Sequence, residues 1–354
     1  MVGLNIGVLT SVGQTVDAFF PPLIGTWRSQ GHDVRVAAGS PAQLVETTVI
    51  TGLTRKAGPR LARAPKALRA WVSDNKIDVV LTSTATASAI ARTSRLGVPV
   101  VYFCHGLHWD RPSLTNLHFR LIEKVLLRRT DGIVTLNSAD TDWFAANGRG
   151  IPTIRLPFGV GLEAEAYPRS KAPIEGGRAR LVWIGEFSAR KAPMEAVELA
   201  SALRDLGVDF SLTMVGEGAE RDRVVRSLQD RSLGDRVSAP GRQSASKVLA
   251  EASAIVHTAH WEGLPRVLLE AVSVGRPIYA FDAKGVRDIP GAVLVDRRDA
   301  RELAHLIARD IGRPGSLSDR VAAYPEPHAL SSDVSAGLLA EFLLRHFERP
   351  LQPR

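Results

Sequence analysis

Cysteine is almost absent from this chain of 354 residues, in which Cys104 is the only one. A single thiol excludes an intramolecular disulfide and suits a reducing cytoplasm. The sequence also has no run of 18 apolar residues, so we predict no transmembrane helix. Residues 1–13 lack a basic segment before their apolar run, and they predict a core strand rather than a signal peptide. We therefore expect a cytoplasmic protein.

Acidic residues are scarce in the first half. Through residue 160 the chain has 18 Lys and Arg against 10 Asp and Glu, whereas the remainder has 27 of each. Such asymmetry favours an anionic partner for the first half. The stretch has no known nucleic-acid-binding module, so nucleic acid is disfavoured, and an anionic membrane surface is the preferred interpretation. A solvated face without a partner is the alternative. The basic cluster consists of Arg55, Lys56, Arg60, Arg63, Lys66, Arg69 and Lys76.

The dinucleotide fingerprint G-x-G-x-x-G is absent, although strands and helices alternate along the whole chain. The length suits two domains, and the alternation predicts a doubly wound parallel sheet in each. The pattern breaks into Gly, Pro and charged residues between 157 and 177. We predict a first domain at 1–160, a linker at 161–177, a second domain at 178–330 and a terminal helical segment at 331–354.

One stretch of the second half carries the strongest chemical signal, HTAHWEGLPRVLLEAVSVGRP at 257–277. A strand ends just before it, and Pro265 is predicted to open a helix that Gly275 ends. Glu262 precedes this helix and Glu270 lies in its second turn. A helix N-terminus favours an anion, and flanking carboxylates accept hydrogen bonds from sugar hydroxyls. This combination predicts a nucleotide-sugar site; the alternative is two solvent-facing glutamates.

A second loop suited to phosphate follows the strand predicted at 179–184. Gly185 allows close approach of the backbone, while Arg190 and Lys191 supply positive charge. Arg190 taken alone is equally compatible with a surface cation. The next predicted strand, 211–215, ends at another glycine-bearing loop that begins with Gly216.

In the first half, His105 and His108 follow a strand predicted at 98–103, where open α/β sheets place ligands. Contact with a sugar hydroxyl or acid–base chemistry is favoured over metal binding, because a third ligand is not evident. A structural role for at least one of the two histidines stays open. Gly13, in the loop after the first strand, either approaches the substrate or makes a plain tight turn. Asp140 and Asp142 are interpreted as structural acids in a first helical turn.

Three helical features of the first half are predicted in more detail. A helix at 59–75 has an apolar side that includes Trp71, and it packs on its own sheet or lies on anionic lipid. Ser138 is predicted to be the N-cap of the helix that follows the strand at 132–136. The helix at 116–129 is expected to bury four apolar residues, Leu117, Leu121, Val125 and Leu126.

The residues from Glu262 to Glu270 resemble the E-x7-E motif of retaining GT-B glycosyltransferases of family 4. The segment 281–288 resembles the continuation found in members that build capsular and O-antigen repeat units. His105-Gly106-Leu107-His108 is similar to a His-Gly-Phe-His stretch of the same relatives, with Leu107 in place of an aromatic residue. Gly185-Glu186 also resembles that subgroup, since many other members have Arg where this chain has Glu186.

This resemblance implies an α/β GT-B fold with two Rossmann-like domains facing a deep cleft, and a terminal helix that returns to the N-terminal domain. It implies that Glu262 lies by the donor sugar, that Glu270 binds the ribose, and that Lys191 neutralises the diphosphate. The donor site would further include Gly185, Arg190, Gly216, Gly263, Leu264 and Pro265. The acceptor side would include Gly13, His105 and His108.

The resemblance implies a retaining transfer of a hexose or N-acetylhexosamine, without a metal or other cofactor. We expect a UDP-linked donor and a polyprenyl-diphosphate-linked sugar as acceptor, at the inner face of the cell membrane. Three alternatives stay open: a GT-B nucleotide-sugar epimerase or hydrolase, a transferase acting on a soluble or other lipid acceptor, and a non-catalytic sugar-nucleotide-binding protein.

Overall fold

A computed structural model describes residues 3–56, 58–109, 116–170, 177–296 and 299–347. Residues 171–176 of the predicted linker and 348–354 of the predicted terminal segment lie outside the described residues. The chain forms two compact units. The first unit consists of the residues up to Gly161 and those from Ser332 onward, and the second unit is Leu162–Ser331.

The first unit contains, in its described residues, a seven-stranded sheet in which all pairs are parallel. The strand order is β3-β2-β1-β4-β5-β6-β7. The reversal beside β1 is the doubly wound arrangement predicted from the alternation of strands and helices. The strands are β1 (Asn5–Thr10), β2 (Asp33–Ala38), β3 (Thr48–Val49), β4 (Val79–Ser83), β5 (Val100–Phe103), β6 (Gly132–Thr135) and β7 (Thr153–Arg155).

Two helices follow β1, and the loop in which Gly13 was predicted to lie is shorter than expected. Gly13 already starts the first of them, and Phe20 separates the two because Pro21 favours the start of a new helix. The helices of this unit are α1 (Gly13–Phe19), α2 (Pro21–Ser29), α3 (Ala64–Asp74), α4 (Ala85–Thr93), α5 (Leu117–Leu127) and α6 (Ser138–Asn147).

The basic segment at 59–74 is a 3-10 turn, Pro59–Arg63, followed by α3. Leu68 and Trp71 are buried in the core of their own unit. Trp71 lies so close to β1 that a Cβ added to Gly7 would be 2.8 Å from the indole ring. Of the two alternatives for this helix, its apolar side therefore packs on its own sheet, while Arg60, Arg63, Lys66 and Arg69 are exposed.

The prediction for α5 was wrong for three of its four residues, and Leu126 alone is buried as expected. Leu117, Leu121 and Val125 face solvent, whereas Glu123, Leu126 and Leu127 are buried. The helix is apolar nearly all round, so the hydrophobic pattern could not define a unique inward face. Glu123 faces inward because it forms a buried ion pair with Arg92, and this pair orients the helix.

The cap of α6 is Asn137 rather than Ser138. The Asn137 side chain accepts a hydrogen bond from the Asp140 amide at 2.8 Å. Asp140 is buried, and its Oδ2 accepts from the Leu107 amide at 3.0 Å and from Asn137 Nδ2 at 2.8 Å. Asp140 therefore has a structural role, as expected, and it fixes the loop that carries His105 and His108.

The final helix, which we number α13, belongs to the first unit. The structure describes it over Ser332–Phe347 and packs it against α2. Trp27 Nε1 donates to the Ala336 carbonyl at 3.0 Å, and Thr26 Oγ1 donates to Asp333 at 2.6 Å.

The second unit contains, within 162–331 as described, a six-stranded parallel sheet ordered β10-β9-β8-β11-β12-β13. The prediction of a second Rossmann-like unit is confirmed. Its strands are β8 (Ala179–Ile184), β9 (Phe210–Val215), β10 (Val237–Gly241), β11 (Ala254–His257), β12 (Ile278–Phe281) and β13 (Val293–Val295). Its helices are α7 (Pro193–Asp205), α8 (Arg221–Asp230), α9 (Ala245–Glu251), α10 (Arg266–Val274), α11 (Ala300–Ile311) and α12 (Ser316–Val321).

Residues 162–170, predicted as part of the linker, are packed on this second unit. The Ser170 amide donates to the Val274 carbonyl at 3.0 Å, and Arg169 donates to the carbonyls of Val272 and Pro325. Their sequence has no strand or helix periodicity, so hydrogen bonding to α10 rather than pattern determines their place.

Candidate active site

Hydrogen bonds join the two loops of the second unit that follow β8 and β11. Trp183 Nε1 donates a hydrogen bond to Thr258 Oγ1 at 3.0 Å, and the same hydroxyl donates to the Lys191 carbonyl at 3.1 Å. The His260 amide donates to the Arg190 carbonyl at 2.9 Å. These bonds hold the loop that bears Arg190 and Lys191 against the loop that bears Glu262.

Glu262 is the centre of a buried charge cluster. Its Oε2 lies 2.6 Å from Arg190 Nη1, and its Oε1 forms an ion pair with Lys191 Nζ. His257 Nε2 lies 3.5 Å from the same Oε1. The arrangement joins one carboxylate to two cations, which is the charge balance of a site prepared for an anionic ligand.

Burial and the neighbouring groups have opposite effects on the pKa of Glu262, and the effect of the neighbours is larger. Burial raises the pKa, but the neighbouring His257 and the charges of Lys191 and Arg190 lower it to about 2. Burial lowers the pKa of His257. Glu262 is thus an anion at neutral pH and accepts hydrogen bonds only.

Glycines allow the loops around this cluster to approach each other. Gly216 has φ of +141°, and a Cβ there would lie 1.9 Å from the Gly185 carbonyl oxygen. Gly285 has φ of +78°, and its Cβ would lie 2.4 Å from the Gly263 carbonyl oxygen. The Glu262 amide also donates to the Lys284 carbonyl at 3.0 Å. Gly185 and Gly216 therefore pack on each other.

Helix α10 starts one residue later than predicted. Pro265 is its N-cap with an extended backbone, and Arg266 is the first helical residue. The reason is local: the ψ angle of Pro265 is 102°, outside the helical region. Gly275 ends the helix in the left-handed conformation, so that part of the prediction is confirmed. Leu264 and Pro265 thus lie at the N-terminus of α10.

Glu270 lies on α10 in a second, smaller cluster. Burial raises its pKa, and a hydrogen bond with Tyr167 and the charge of Arg266 partly offset the effect. Arg266 Nε lies 3.5 Å from Glu270 Oε1. Burial, followed by the charge of Glu270, raises the pKa of Tyr167 to about 12. Glu270 is therefore a buried acceptor with a neutral phenol beside it.

His105 lies in the first unit, directly after β5. Its Nε2 shares a hydrogen bond of 2.7 Å with Ser83 Oγ, and its ring stacks on Phe103 at 4.6 Å between centroids. The Phe19 ring lies on another side of the imidazole, with 4.7 Å between the ring centroids. Burial lowers the pKa of His105 to about 4, so the imidazole is neutral at pH 7. A neutral imidazole can exchange a hydrogen bond with a sugar hydroxyl.

A cavity of about 400 Å³ in the first unit has both His105 and His108 in its wall. Trp109, Phe119 and Ile122 also line it, so the wall is largely aromatic and aliphatic beside the two histidines. Gly13 does not line this cavity. It starts α1, and a Cβ there would lie 1.9 Å from the Pro41 carbonyl oxygen, which makes close backbone packing the reason for glycine.

The structure thus gathers the predicted residues into separate groups. Arg190, Lys191 and Glu262 form one cluster, and Glu270 belongs to another on α10 of the same unit. His105 and His108 share a cavity of the first unit. Sequence reasoning missed three contributors, His257, Thr258 and Tyr167. His257 ends β11 and Thr258 follows it, and their position within the highlighted stretch was their only signal. Tyr167 lies in the segment predicted as linker and had none.

Two further properties are defined for the part of the chain that the structure describes. No group of three or more His, Cys, Asp or Glu side chains is arranged to hold a metal ion there. Nor does any helix among those residues combine the length and the apolar character needed to cross a bilayer.

Comparison with protein families assigns each half of the chain to a known domain. Residues 23–160 match the model of Glycosyltransferase Family 4, and residues 168–320 match the model of Glycosyl transferases group 1. The second match contains the whole ion cluster around Glu262, and the first contains His105 and most of the residues that line its cavity.

Curated relatives act on varied acceptors, as their names state. Glycogen synthase of Mycobacterium tuberculosis (strain ATCC 25618 / H37Rv) is 25% identical over 83% of this chain and 75% of its own length. The 2-deoxystreptamine glucosyltransferase of Streptomyces kanamyceticus is 27% identical over 82% of this chain and 81% of its own. Lipopolysaccharide 1,6-galactosyltransferase of Escherichia coli K12 is 24% identical over 65% and 63%.

A solved structure extends the likeness to the whole fold. Anabaena HepE, crystallised with UDP and glucose, superposes with a TM-score of 0.76 at 17% identity, covering 97% of this chain and 100% of that one. The two Rossmann-like units and this agreement define a GT-B fold. With both domain matches, the chain is a GT-B glycosyltransferase.

Proposed function

We propose that the protein is a retaining glycosyltransferase that uses a nucleotide sugar and needs no metal ion. The observation that carries this proposal is the cluster of Arg190, Lys191, Glu262 and His257 beside the N-terminus of α10. Two cations and a helix N-terminus suit the leaving diphosphate, which other transferases neutralise with a divalent metal. The transferred sugar is a hexose or N-acetylhexosamine, and the nucleotide is UDP.

In this proposal the donor changes the partners of the two cations. Lys191 and Arg190 pair with Glu262 in the structure, and on donor binding they turn to the diphosphate. Glu262 is then released to accept hydrogen bonds from hydroxyls of the transferred sugar. Because its pKa is about 2, it stays ionised throughout. The low-dielectric surroundings strengthen each of these interactions.

Glu270 holds the ribose of the nucleotide. A buried carboxylate accepts from two adjacent hydroxyls, and the 2′ and 3′ hydroxyls of a ribose have that spacing. Tyr167 and Arg266 fix its position. The retaining course is the one that the resemblance to retaining family members implies. Because the described residues of the cluster include one carboxylate, a front-face transfer is favoured over a double displacement: the acceptor oxygen attacks on the face that the diphosphate leaves, and a diphosphate oxygen takes its proton.

The acceptor in this proposal is a polyprenyl-diphosphate-linked sugar bound by the first unit at the inner membrane face. The neutral His105 contacts a sugar hydroxyl, and the apolar part of the cavity suits an amphiphilic molecule. The excess of basic residues in the first half supports an anionic partner. A transferase with a soluble acceptor is the second candidate, favoured by the likeness to the 2-deoxystreptamine glucosyltransferase.

The experiment is nucleotide release from a panel of UDP-sugars, with and without a polyprenyl-diphosphate-linked sugar, in buffer containing EDTA. We expect release that depends on the acceptor and survives the chelator. Release or isomerisation of the sugar in the absence of any acceptor would support a hydrolase or an epimerase instead. Activity with 2-deoxystreptamine alone would support the soluble-acceptor candidate, and loss of all activity in EDTA would contradict the metal-free mechanism.

A further inference from the structure

The outward side of α5 is apolar. Five of its large hydrophobic side chains are 46–62% exposed. Leu117, Leu121 and Val125 follow each other at i, i+4 and i+8, so they form one row along the helix. Phe119 and Ile122 border this row on the side toward the cavity that contains His105. We name the set of Leu117, Phe119, Leu121, Ile122 and Val125 the α5 outer face.

This concentration is unusual within the described chain. Nine large hydrophobic residues are exposed there, and five of them belong to the α5 outer face. The other four are scattered as Leu44, Val49, Leu206 and Leu338. Single exposed apolar residues need no explanation, whereas a contiguous apolar patch on a helix marks a contact with another molecule or with a membrane.

The charges around the face identify the kind of partner. Lys124, Arg128 and Arg129 are exposed on the same helix or directly after it. The only acidic residue between 116 and 129 is Glu123, which is buried in an ion pair with Arg92. An apolar row flanked by cations, with no exposed carboxylate, suits the boundary between anionic headgroups and acyl chains. A second copy of the face would oppose cations to cations.

The α3 segment cannot serve in the same way, although it carries more positive charge. Its Leu68 and Trp71 are buried in the core, and no large apolar side chain between 59 and 74 is exposed. That segment can attract an anionic surface, but it has no apolar row to insert. The α5 outer face has both features.

We propose that the α5 outer face is a membrane-docking surface whose apolar row enters an anionic bilayer at the headgroup level. Phe119 and Ile122 belong both to the face and to the wall of the cavity beside His105. Docking therefore brings the cavity to the lipid surface, where a lipid-linked sugar is presented. The docking itself is independent of the acceptor; its role in delivering a lipid-linked acceptor rests on the proposed function.

The test is co-sedimentation of the full-length protein with vesicles of phosphatidylcholine, with and without 30% phosphatidylglycerol. The informative variant is the double substitution Leu121→Gln and Val125→Gln, since neither residue lines the cavity. The matched control is Leu44→Gln with Leu206→Gln, which removes the same kind of exposed residue elsewhere. A third variant changes Arg60, Arg63, Lys66 and Arg69 to Gln.

We expect the α5 double variant to bind anionic vesicles at least tenfold more weakly, with an unchanged melting temperature, while the control binds like the wild type. Wild-type protein that ignores anionic vesicles would overturn the proposal, and so would full binding by the α5 variant together with loss in the α3 variant. A dimer in light scattering that the α5 substitutions dissociate, without vesicle binding, would assign the face to self-association and overturn the proposal as well.

The same variants separate this proposal from the proposed function. Nucleotide release with a water-soluble acceptor analogue should be equal in the wild type and the α5 double variant, whereas transfer to the vesicle-embedded acceptor should fall at least tenfold in the variant. Vesicle binding by a protein that transfers to neither acceptor would refute the proposed function alone. Transfer to the embedded acceptor that is unaffected by the α5 substitutions would refute the docking role alone.

Discussion

Partly exposed Lys191 and buried Glu262 form an ion pair between the loops that follow β8 and β11. Arg190 takes the other carboxylate oxygen at 2.6 Å. In the structure the cations proposed for the diphosphate are thus neutralised by the carboxylate proposed for the sugar. The pairing keeps all three side chains in place, so donor binding exchanges partners rather than building the site anew.

Replacing Glu262 by Gln should separate sugar recognition from diphosphate recognition. The variant keeps the shape but frees Lys191 and Arg190, so we expect kcat with a UDP-sugar to fall by about 10² to 10³. Binding of UDP alone should stay equal or become tighter. Steady-state kinetics and calorimetry with UDP measure the two effects, and Glu251→Gln, an exposed glutamate of the same unit, is the control. A wild-type kcat would exclude Glu262 from the reaction.

The ion cluster should also give acid-labile stability. The pKa of Glu262 is about 2 in the folded protein and near 4.5 ordinarily, so its contribution is complete above pH 4.5 and is lost as the pH falls toward 2. We expect the free energy of unfolding of Glu262→Gln to lie below that of the wild type at pH 6 and to approach it by pH 3. Urea titrations at a series of pH values test this. A difference that does not change over that range would mean the carboxylate is not held ionised by its neighbours.

Glu270→Ala should raise the donor KM by about ten- to a hundredfold, because it removes charged hydrogen bonds to the ribose. Tyr167→Phe should raise the KM less, since the phenol positions the carboxylate. A comparison of UDP-sugar with a nucleotide analogue that lacks the 2′ hydroxyl isolates the contact: the variant should lose most of the preference for the intact ribose. Unchanged donor binding in Glu270→Ala would refute the ribose assignment.

His105 should remain neutral over the physiological range. Its pKa is lowered by burial to about 4, below the ordinary 6.5, so the unfolded chain takes up the proton first and acidification between these values destabilises the fold. Imidazole resonances assigned with a His105→Gln variant should show no titration of this ring between pH 5 and 8. A midpoint near 6.5 would mean that the ring is solvated and not enclosed by Phe19 and Phe103.

Cys104 should be inert in the folded protein. It is fully buried, and burial raises the pKa of its thiol to about 12. Since it is the only cysteine, a thiol reagent at pH 8 should label no thiol per chain in the native state and one in urea. Rapid labelling without denaturant would show that the strand end at β5 opens to solvent.

The sequence predicted the parts of the site whose residue types have one physical use. Glycine after a helix and basic residues after a buried strand pointed to Gly275, Arg190 and Lys191, and the spacing of Glu262 and Glu270 pointed to the loop that we propose for the donor. Partners that depend on tertiary packing were not predictable. Tyr167 reaches Glu270 from a segment without periodicity, and Asn137 rather than Ser138 caps α6 because adjacent polar residues compete equally for that role.

Helix α5 shows a different limit. Its sequence has apolar residues on every side of the helix. The prediction from this pattern therefore placed Leu121 and Val125 in the core. The structure orients the helix through the buried pair of Glu123 and Arg92, which no periodicity reveals. The error matters because the residues misplaced by it form the surface proposed to dock on lipid.

The most direct test of the central claim follows the anomeric proton of a UDP-α-sugar by NMR during turnover with a polyprenyl-diphosphate-linked sugar and EDTA. A retaining, metal-independent transferase gives a new α-anomeric signal, with the small coupling constant of the donor, that appears in step with free UDP. A β-anomeric product, free sugar or an isomerised donor would contradict the account.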